Sequence, residues 1–430
     1  MKRSRFVQGV AAGTASSGLA TSAAGAAPNV NSGGSLTMMQ YPNYNPKGDV
    51  KLKELLARWG KANPGWSADI QFVPDQDMLA KTSALVQAGA GPDIIQMKYN
   101  LPWLFADFCN DVSDVVERIE KKNGPFYASI VANSRVRGVY RTVPWYYTPA
   151  AFHYRIDLWS QVGKPHFVET LDELYTYGKK LKEASGIPVG EALGHANGDA
   201  NTFWYGVMWG FGGQEVKKDG KTIAINSPET LAALEWAVKM WQDKVLDPSV
   251  YSWDDSSNNR AYLAKTISCT ENAASIYLVA ADRDPDLANK TGTCIRPAGP
   301  KARTMLQVNL GMSVMKWAKD TGAAKSLIEF LMDRQNYIEW LTFSGLGAYP
   351  GAALDQLSLW HDRPKLKPFN DSVKYGRWPG WPGDPNKQSS EAVARFVVVD
   401  MFAKACQTGD AKSALAEAER QLTSIYTKPA

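Results

Sequence analysis

At 430 residues the chain is too long for one small core, and two lobes or domains are expected. Hydrophobic residues make up 44% and charged residues 21%, a balance that excludes disorder. The formal net charge of +5 falls to +2 once the three positive charges of the amino-terminal segment are set aside, which excludes a nucleic-acid footprint.

The chain opens on MKRSRFVQGVAAGTASSGLATSAAGAAPNV, which reads as a signal peptide over residues 1–27. Lys2, Arg3 and Arg5 precede a weakly apolar Ala/Gly/Ser stretch, and Ala24 and Ala26 form a cleavage pattern. KRSRF resembles a twin-arginine signal with Ser4 interrupting the arginine pair, so the export route stays open. No cysteine follows the apolar stretch, which argues against a lipid anchor. A periplasmic location is the expectation.

The next segments read as strand, helix, strand. SLTMMQY is apolar and extended, and DVKLKELLARWGKANPG places Val50, Leu55, Leu56 and Trp59 on one helical face before Pro64-Gly65. ADIQFVP is the second strand, so a parallel sheet with a right-handed crossover is expected. DMLAKTSALVQAGA is a second helix, and GPDIIQM enters a third strand. VPWYYTPAAFHYRIDLW is strand-like, and TLDELYTYGKKLKEASG is an amphipathic helix stopped by glycine. EVKKDGKTIAIN reads as a hairpin turning at Asp219-Gly220. NSPETLAALEWAVKMWQD starts a helix with Ser227 as N-cap and Pro228 at the first helical position. NLGMSVMKWA is another strand; GAAKSLIEFLMDRQNYIEWLTF and DAKSALAEAERQLTSIY are helical.

Motifs for catalysis are missing from the sequence: there is no GxSxG elbow, no GxxxxGK[ST] loop and no HExxH. His153, His166, His195 and His361 are scattered without ligand spacing, so neither a metal nor a cofactor is expected. The carboxylate pairs Asp254-Asp255 and Asp282/Asp284/Asp286 are more simply solvated loops than catalytic pairs. Four cysteines in an exported chain allow three pairings, which sequence does not choose among. Cys269 and Cys294, close in sequence, are the favoured disulfide.

Aromatic and amide residues gather at the ends of expected strands. Tyr41 and Asn43 follow the first, Lys98, Tyr99 and Asn100 the third, and Trp145, Tyr146 and Tyr147 follow Pro144. Open α/β sheets bind ligands beyond the carboxyl ends of their strands. Aromatic faces stack on sugar rings, and amides and carboxylates take up hydroxyls; the same set could cage an organic cation. GRWPGWPGDP raises the same question at Trp378 and Trp381. Proline and glycine make this loop stiff and non-regular, so the rings either plug the body or face a ligand.

Several of these stretches, in this order, resemble the extracellular solute-binding proteins that feed ABC importers, in the sugar-binding group related to maltose-binding protein. The resemblance lies in LVQAGAGPDIIQM, VPWYYTPAAFHYRIDLWSQVGKP, INSPETLAALEWAVKMWQD, NLGMSVMKWAKDTGAAKSLIEFLMDRQNYIEWL and GLGAYP. It implies a type II periplasmic-binding-protein-like α/β fold. Two lobes, each with a central mostly parallel sheet flanked by helices, are joined by crossing hinge strands. The first lobe comprises residues 28–147 and 298–349, the second residues 148–297 and 350–430.

The implied function is capture of a small carbohydrate or polyol between the lobes, by a monomer without catalysis, for delivery to ABC permease subunits. By the same resemblance, ligand contacts are expected from Tyr41, Asn43, Asp75, Gln76, Asp77, Lys98, Tyr99, Asn100, Tyr146, Tyr147, Trp204 and Asn272. Trp378 or Trp381 is the expected stacking platform of the second lobe. Ser275 stands where relatives commonly carry an aromatic, which puts long oligosaccharides in doubt. A polyamine or other organic-cation binder would share this fold and need carboxylates ringing the aromatics. An exported glycoside-active enzyme would show turnover.

Overall fold

The computed structural model describes residues 33–344 and 347–427, and the expected signal peptide lies outside them. In chain order the elements used below are β1 (Gly34–Gln40), α1 (Pro46–Ala62), β2 (Trp66–Phe72), α2 (Asp75–Ala88) and β3 (Ile94–Lys98). Then come β4 (Val143–Thr148), β5 (Ala151–Arg155), α3 (Asp199–Phe211) and α4 (Pro228–Gln242). They are followed by β6 (Cys269–Asn272), β7 (Thr291–Cys294) and β8 (Val308–Val314). The chain closes with α5 (Lys387–Ala394), α6 (Val397–Thr408) and α7 (Ala411–Tyr426).

One sheet has the order β2-β1-β3-β8-β4. β1 lies parallel to β2 and β3, as the strand–helix–strand pattern requires, while β8 runs antiparallel to β3 and β4. α1 starts where the Asn45 side chain accepts from the Lys47 amide at 3.1 Å. It buries Leu52, Leu55, Leu56 and Trp59. Val50, expected on that face, is 56% exposed, because it lies about half a turn around the helix from the stripe that runs through Gly48, Leu52, Leu55 and Trp59. The Gly-Pro-Asp turn has a structural purpose: buried Asp93 accepts from the Thr37 amide at 2.8 Å and ties β3 to β1.

The second sheet has the order β6-β5-β7, and both pairs are antiparallel. A mostly parallel sheet was expected in each lobe; these short strands pair antiparallel, while isolated parallel bridges occur at Val189–Leu246 and Thr170–Ala298. β5 enters from the first sheet through Thr148 to Ala150, against the direction of its neighbours. β6 and β7 run the same way as each other and are linked through helices, with β5 inserted between them.

This topology overturns the expected disulfide. Cys269 faces Tyr154 on one side of β5, and Cys294 faces Phe152 on the other. Two strand spacings amount to about 9.6 Å, beyond the roughly 7 Å that a disulfide spans between Cα atoms. All four cysteines are free. No helix among the described residues is long and apolar enough to cross a membrane.

α4 begins as its sequence predicts, with the Ser227 hydroxyl accepting from the Thr230 amide at 3.2 Å. α7 docks on α3 through buried Glu215, which accepts from the Tyr426 hydroxyl at 2.6 Å and the Tyr205 hydroxyl at 3.0 Å. Burial pushes the Glu215 carboxyl up to about 7. An acid whose folded pKa lies above its unfolded value loses stability as pH rises between the two. Wild-type melting temperature is therefore expected to fall from pH 5 to pH 8 relative to Glu215→Gln. Parallel pH dependences of the two proteins would refute this.

Candidate functional site

A cleft of about 490 Å³ opens between the two sheets, where β1, β3 and β4 end and β8 begins, against the start of α3 and the end of β6. The first lobe supplies Tyr41, Asn43, Tyr44, Asp75, Gln76, Lys98 and Tyr146. The second supplies Asp199, Asp254, Asp255 and Asn272.

Lys98 is the centre of the polar set. Its Nζ donates to Asp75 Oδ2 at 2.5 Å within its own lobe and reaches Asp255 Oδ2 at 3.4 Å in the other. The ammonium also lies 5.1 Å from the Tyr41 ring centroid. Asp255 caps the entry to α3, accepting from the amides of Gly198 at 2.8 Å and Asp199 at 2.9 Å. Asp199 Oδ2 accepts from Asn272 Nδ2 at 3.1 Å. Asn272 in turn is fixed by Asn258 and Asn259, each at 2.9 Å.

Burial and the neighbouring Asp255 push Asp75 up to about 8, and the same two causes hold Asp199 well above the usual carboxylate range. Against its own burial, Asp255 stays low, held down to about 2 by Lys98, Asp75 and the α3 amides. Tyr41 is 6% exposed, and its hydroxyl has no hydrogen-bond partner; neither does Asp75 Oδ1. These atoms can hydrogen-bond a hydroxylated or amine-bearing molecule. Among the described residues, no group of three or more His, Cys, Asp or Glu side chains could hold a metal ion.

Half of the expected contacts line this cleft: Tyr41, Asn43, Asp75, Gln76, Lys98, Tyr146 and Asn272. Asn43 is partly committed, donating from Nδ2 to Asp49 at 2.7 Å. The others lie elsewhere, for identifiable reasons. Asp77 is exposed on the first turn of α2. Tyr147 points to the opposite face of β4 from Tyr146 and packs on Tyr127, Ile130 and Trp360. A bulge where β4 pairs with Leu310 and Gly311 sets that alternation and accommodates Pro144 on an edge strand.

Trp204 is fully buried between Phe203 and Phe402, with Nε1 donating to the Ala192 carbonyl at 2.8 Å. It is core. Tyr99 and Asn100 span the cleft without lining it. The Tyr99 hydroxyl donates to the Asn197 carbonyl, and Asn100 Nδ2 donates to the Ser390 carbonyl in α5 at 2.6 Å. With Lys98, three successive residues of the first lobe thus grip the second.

The tryptophan loop is the plug of the two alternatives. Trp378 Nε1 donates to the Gly383 carbonyl at 2.8 Å, closing the loop on itself. Trp381 packs edge-on against Trp209 at 5.8 Å, with the Arg377 guanidinium 5.4 Å from its ring. Neither ring lines the cleft. Trp381→Ala is therefore expected to lower the melting temperature and leave the dissociation constant for any cleft ligand unchanged. Large weakening of binding at unaltered stability would restore the platform.

Asp199, Asp254, Asp255 and Tyr44 line the cleft outside the expected set. Tyr44 lies one residue beyond an expected contact, and Asp254-Asp255 had been singled out only as a carboxylate pair. Asp199 carried one signal, its place at the start of an apolar helix.

Among known proteins, a family model described as bacterial extracellular solute-binding protein matches residues 43–337. Putative binding proteins of Brucella abortus (strain 2308) and Brucella suis biovar 1 (strain 1330) are each 22% identical over 299 residues. The match covers 69% of this chain and 72% of each relative. Maltose-bound T. maritima MalE3 superposes with a TM-score of 0.77 at 23% identity, covering 91% of this chain and 99% of that one. A solute-binding protein from Thermotoga lettingae TMO, bound with alpha-D-tagatose, reaches 0.79 at 14% identity, with coverage of 91% and 99%. A sugar transporter from Arthrobacter chlorophenolicus A6, with bound laminaribiose, reaches 0.78 at 18% identity, with coverage of 92% and 100%. At these identities the likeness to the solved structures is one of fold.

Proposed function

The chain belongs to the bacterial extracellular solute-binding proteins, and from that premise we propose that it captures a small carbohydrate or polyol for an ABC importer. It acts in the periplasm, closes its lobes on the ligand and hands it to permease subunits. The observation that carries this reading is the composition of the cleft. Tyrosine faces from one lobe oppose carboxylates and an amide from the other, around about 490 Å³. That volume falls within the roughly 300–1,000 Å³ of small-molecule pockets. Flat apolar walls suit a sugar ring, and Asp75, Gln76, Asp199 and Asn272 suit its hydroxyls. The maltose, tagatose and laminaribiose in similarly folded proteins support the same class.

Isothermal titration calorimetry against sugars and polyols should give one-to-one binding with no product formed. Scattering should give a smaller radius of gyration with ligand than without, as hinge closure requires. Steady release of reducing ends by the purified protein would overturn the carrier function.

A further inference from the structure

The charges in the cleft do not balance. Asp254 is occupied outside it, held by Arg260 at 3.1 Å and by the Ser256 and Ser257 hydroxyls. That leaves Asp75, Asp199 and Asp255 facing one cation, Lys98. Carboxylates taken out of water need compensation, by protons or by a positive partner. Lys98 pairs with Asp75 and Asp255, and Asp199 has no cation at hydrogen-bond distance; its carboxyl is met by the side-chain amides of Asn272 and Asn258. Close by, the 6%-exposed Tyr41 presents an unpartnered hydroxyl, as Asp75 presents its Oδ1. A neutral sugar would supply hydroxyls to these atoms and leave the excess negative charge to be met by protons.

We propose that this cleft selects a carbohydrate or polyol bearing a protonated amine, seated between Asp75 of the first lobe and Asp199 of the second, beside Tyr41. The proposal rests on the capture function above and specifies its substrate class. An ammonium brings three donors and the missing positive charge, and an aromatic wall favours it further. The raised positions of Asp75 and Asp199 agree with this, since both carboxyls gain from a cation at their side.

The test is a set of matched pairs titrated at pH 7: D-glucose with D-glucosamine, D-galactose with D-galactosamine, and myo-inositol with an aminodeoxyinositol. The N-acetylated hexosamines serve as uncharged controls. At least one amine is expected to bind about tenfold more tightly than its neutral and acetylated partners, a ratio of one power of ten in Kd. Added salt should shrink the ratio, and so should Asp199→Asn, whose folding is checked by its melting temperature. Equal or tighter binding of the neutral members, or no binding by any amine, would overturn the proposal. Binding of neutral members alone leaves the capture function standing, whereas turnover of any member overturns that function instead.

Discussion

Lys98→Met should weaken binding of an uncharged ligand more than a hundredfold. The side chain is 9% exposed and pairs with Asp75 at 2.5 Å and Asp255 at 3.4 Å. Methionine keeps the volume of the stem but removes the charge, leaving Asp75, Asp199 and Asp255 together without a cation. Removing one partner of a buried ion pair costs about 3–5 kcal/mol, and 3 kcal/mol already exceeds a hundredfold in Kd. The penalty is relieved if the lobes part and water reaches the carboxylates. Melting temperature should consequently fall less than affinity, and the ligand-free radius of gyration should rise. Retained affinity with an unchanged radius would show that Lys98 does not hold the closed cleft.

A second large effect lies under the cleft. Arg296 and Glu271 are each 2% exposed and 3.2 Å apart. The guanidinium also donates to the carbonyls of Thr202 and Phe203 at 3.3 Å. α3 comes close enough for this only because position 206 is glycine: a Cβ there would stand 2.1 Å from Arg296 Nη1. Arg296→Met leaves Glu271 without a cation in the core, beside the buried Glu191 carboxyl, at an expected cost of about 3–5 kcal/mol. Burial already holds Glu271 above the usual carboxylate range against the pull of Arg296. Without the arginine its pKa climbs further. A raised acid loses stability as pH rises, so the variant should approach wild type at pH 5 and fall far below it at pH 8. Adding Glu271→Leu to Arg296→Met should recover most of the loss, because an apolar pair of similar volume replaces a buried ion pair at little net cost. Denaturant titration of the four proteins decides it; an additive double variant would refute the coupling.

The parallel part of the first sheet was legible because periodicity and turn residues in that stretch agree. Tyr41, Asp75 and Lys98 were within reach for the same reason, since they follow a strand, open a helix or end a strand. Tyr146 and Tyr147 were not separable, because the bulge that decides which faces the cleft depends on pairing with β8. The tryptophans misled for a different reason. Trp204 was expected at the ligand by resemblance alone, yet DANTFWYGVMWGF is apolar around its whole circumference, the mark of a helix buried on every side. Placing Trp204 outward ignored that pattern. The acidic half of the cleft depends on two loops and one helix start, remote in sequence, and no local signal joins Asp199 to Asp255.

The three-residue grip at Lys98, Tyr99 and Asn100 separates how well a ligand fits from how long it stays. All three tethers spring from the end of one strand, so moving that one edge loosens all of them. Ligand exit then waits on detaching that strand end, and dwell time can change without altering any atom that touches the ligand. Loosening Asn100 from Ser390 should quicken departure while leaving the preference among ligands intact. A membrane partner that prises this one edge loose would empty the cleft without competing for its contents.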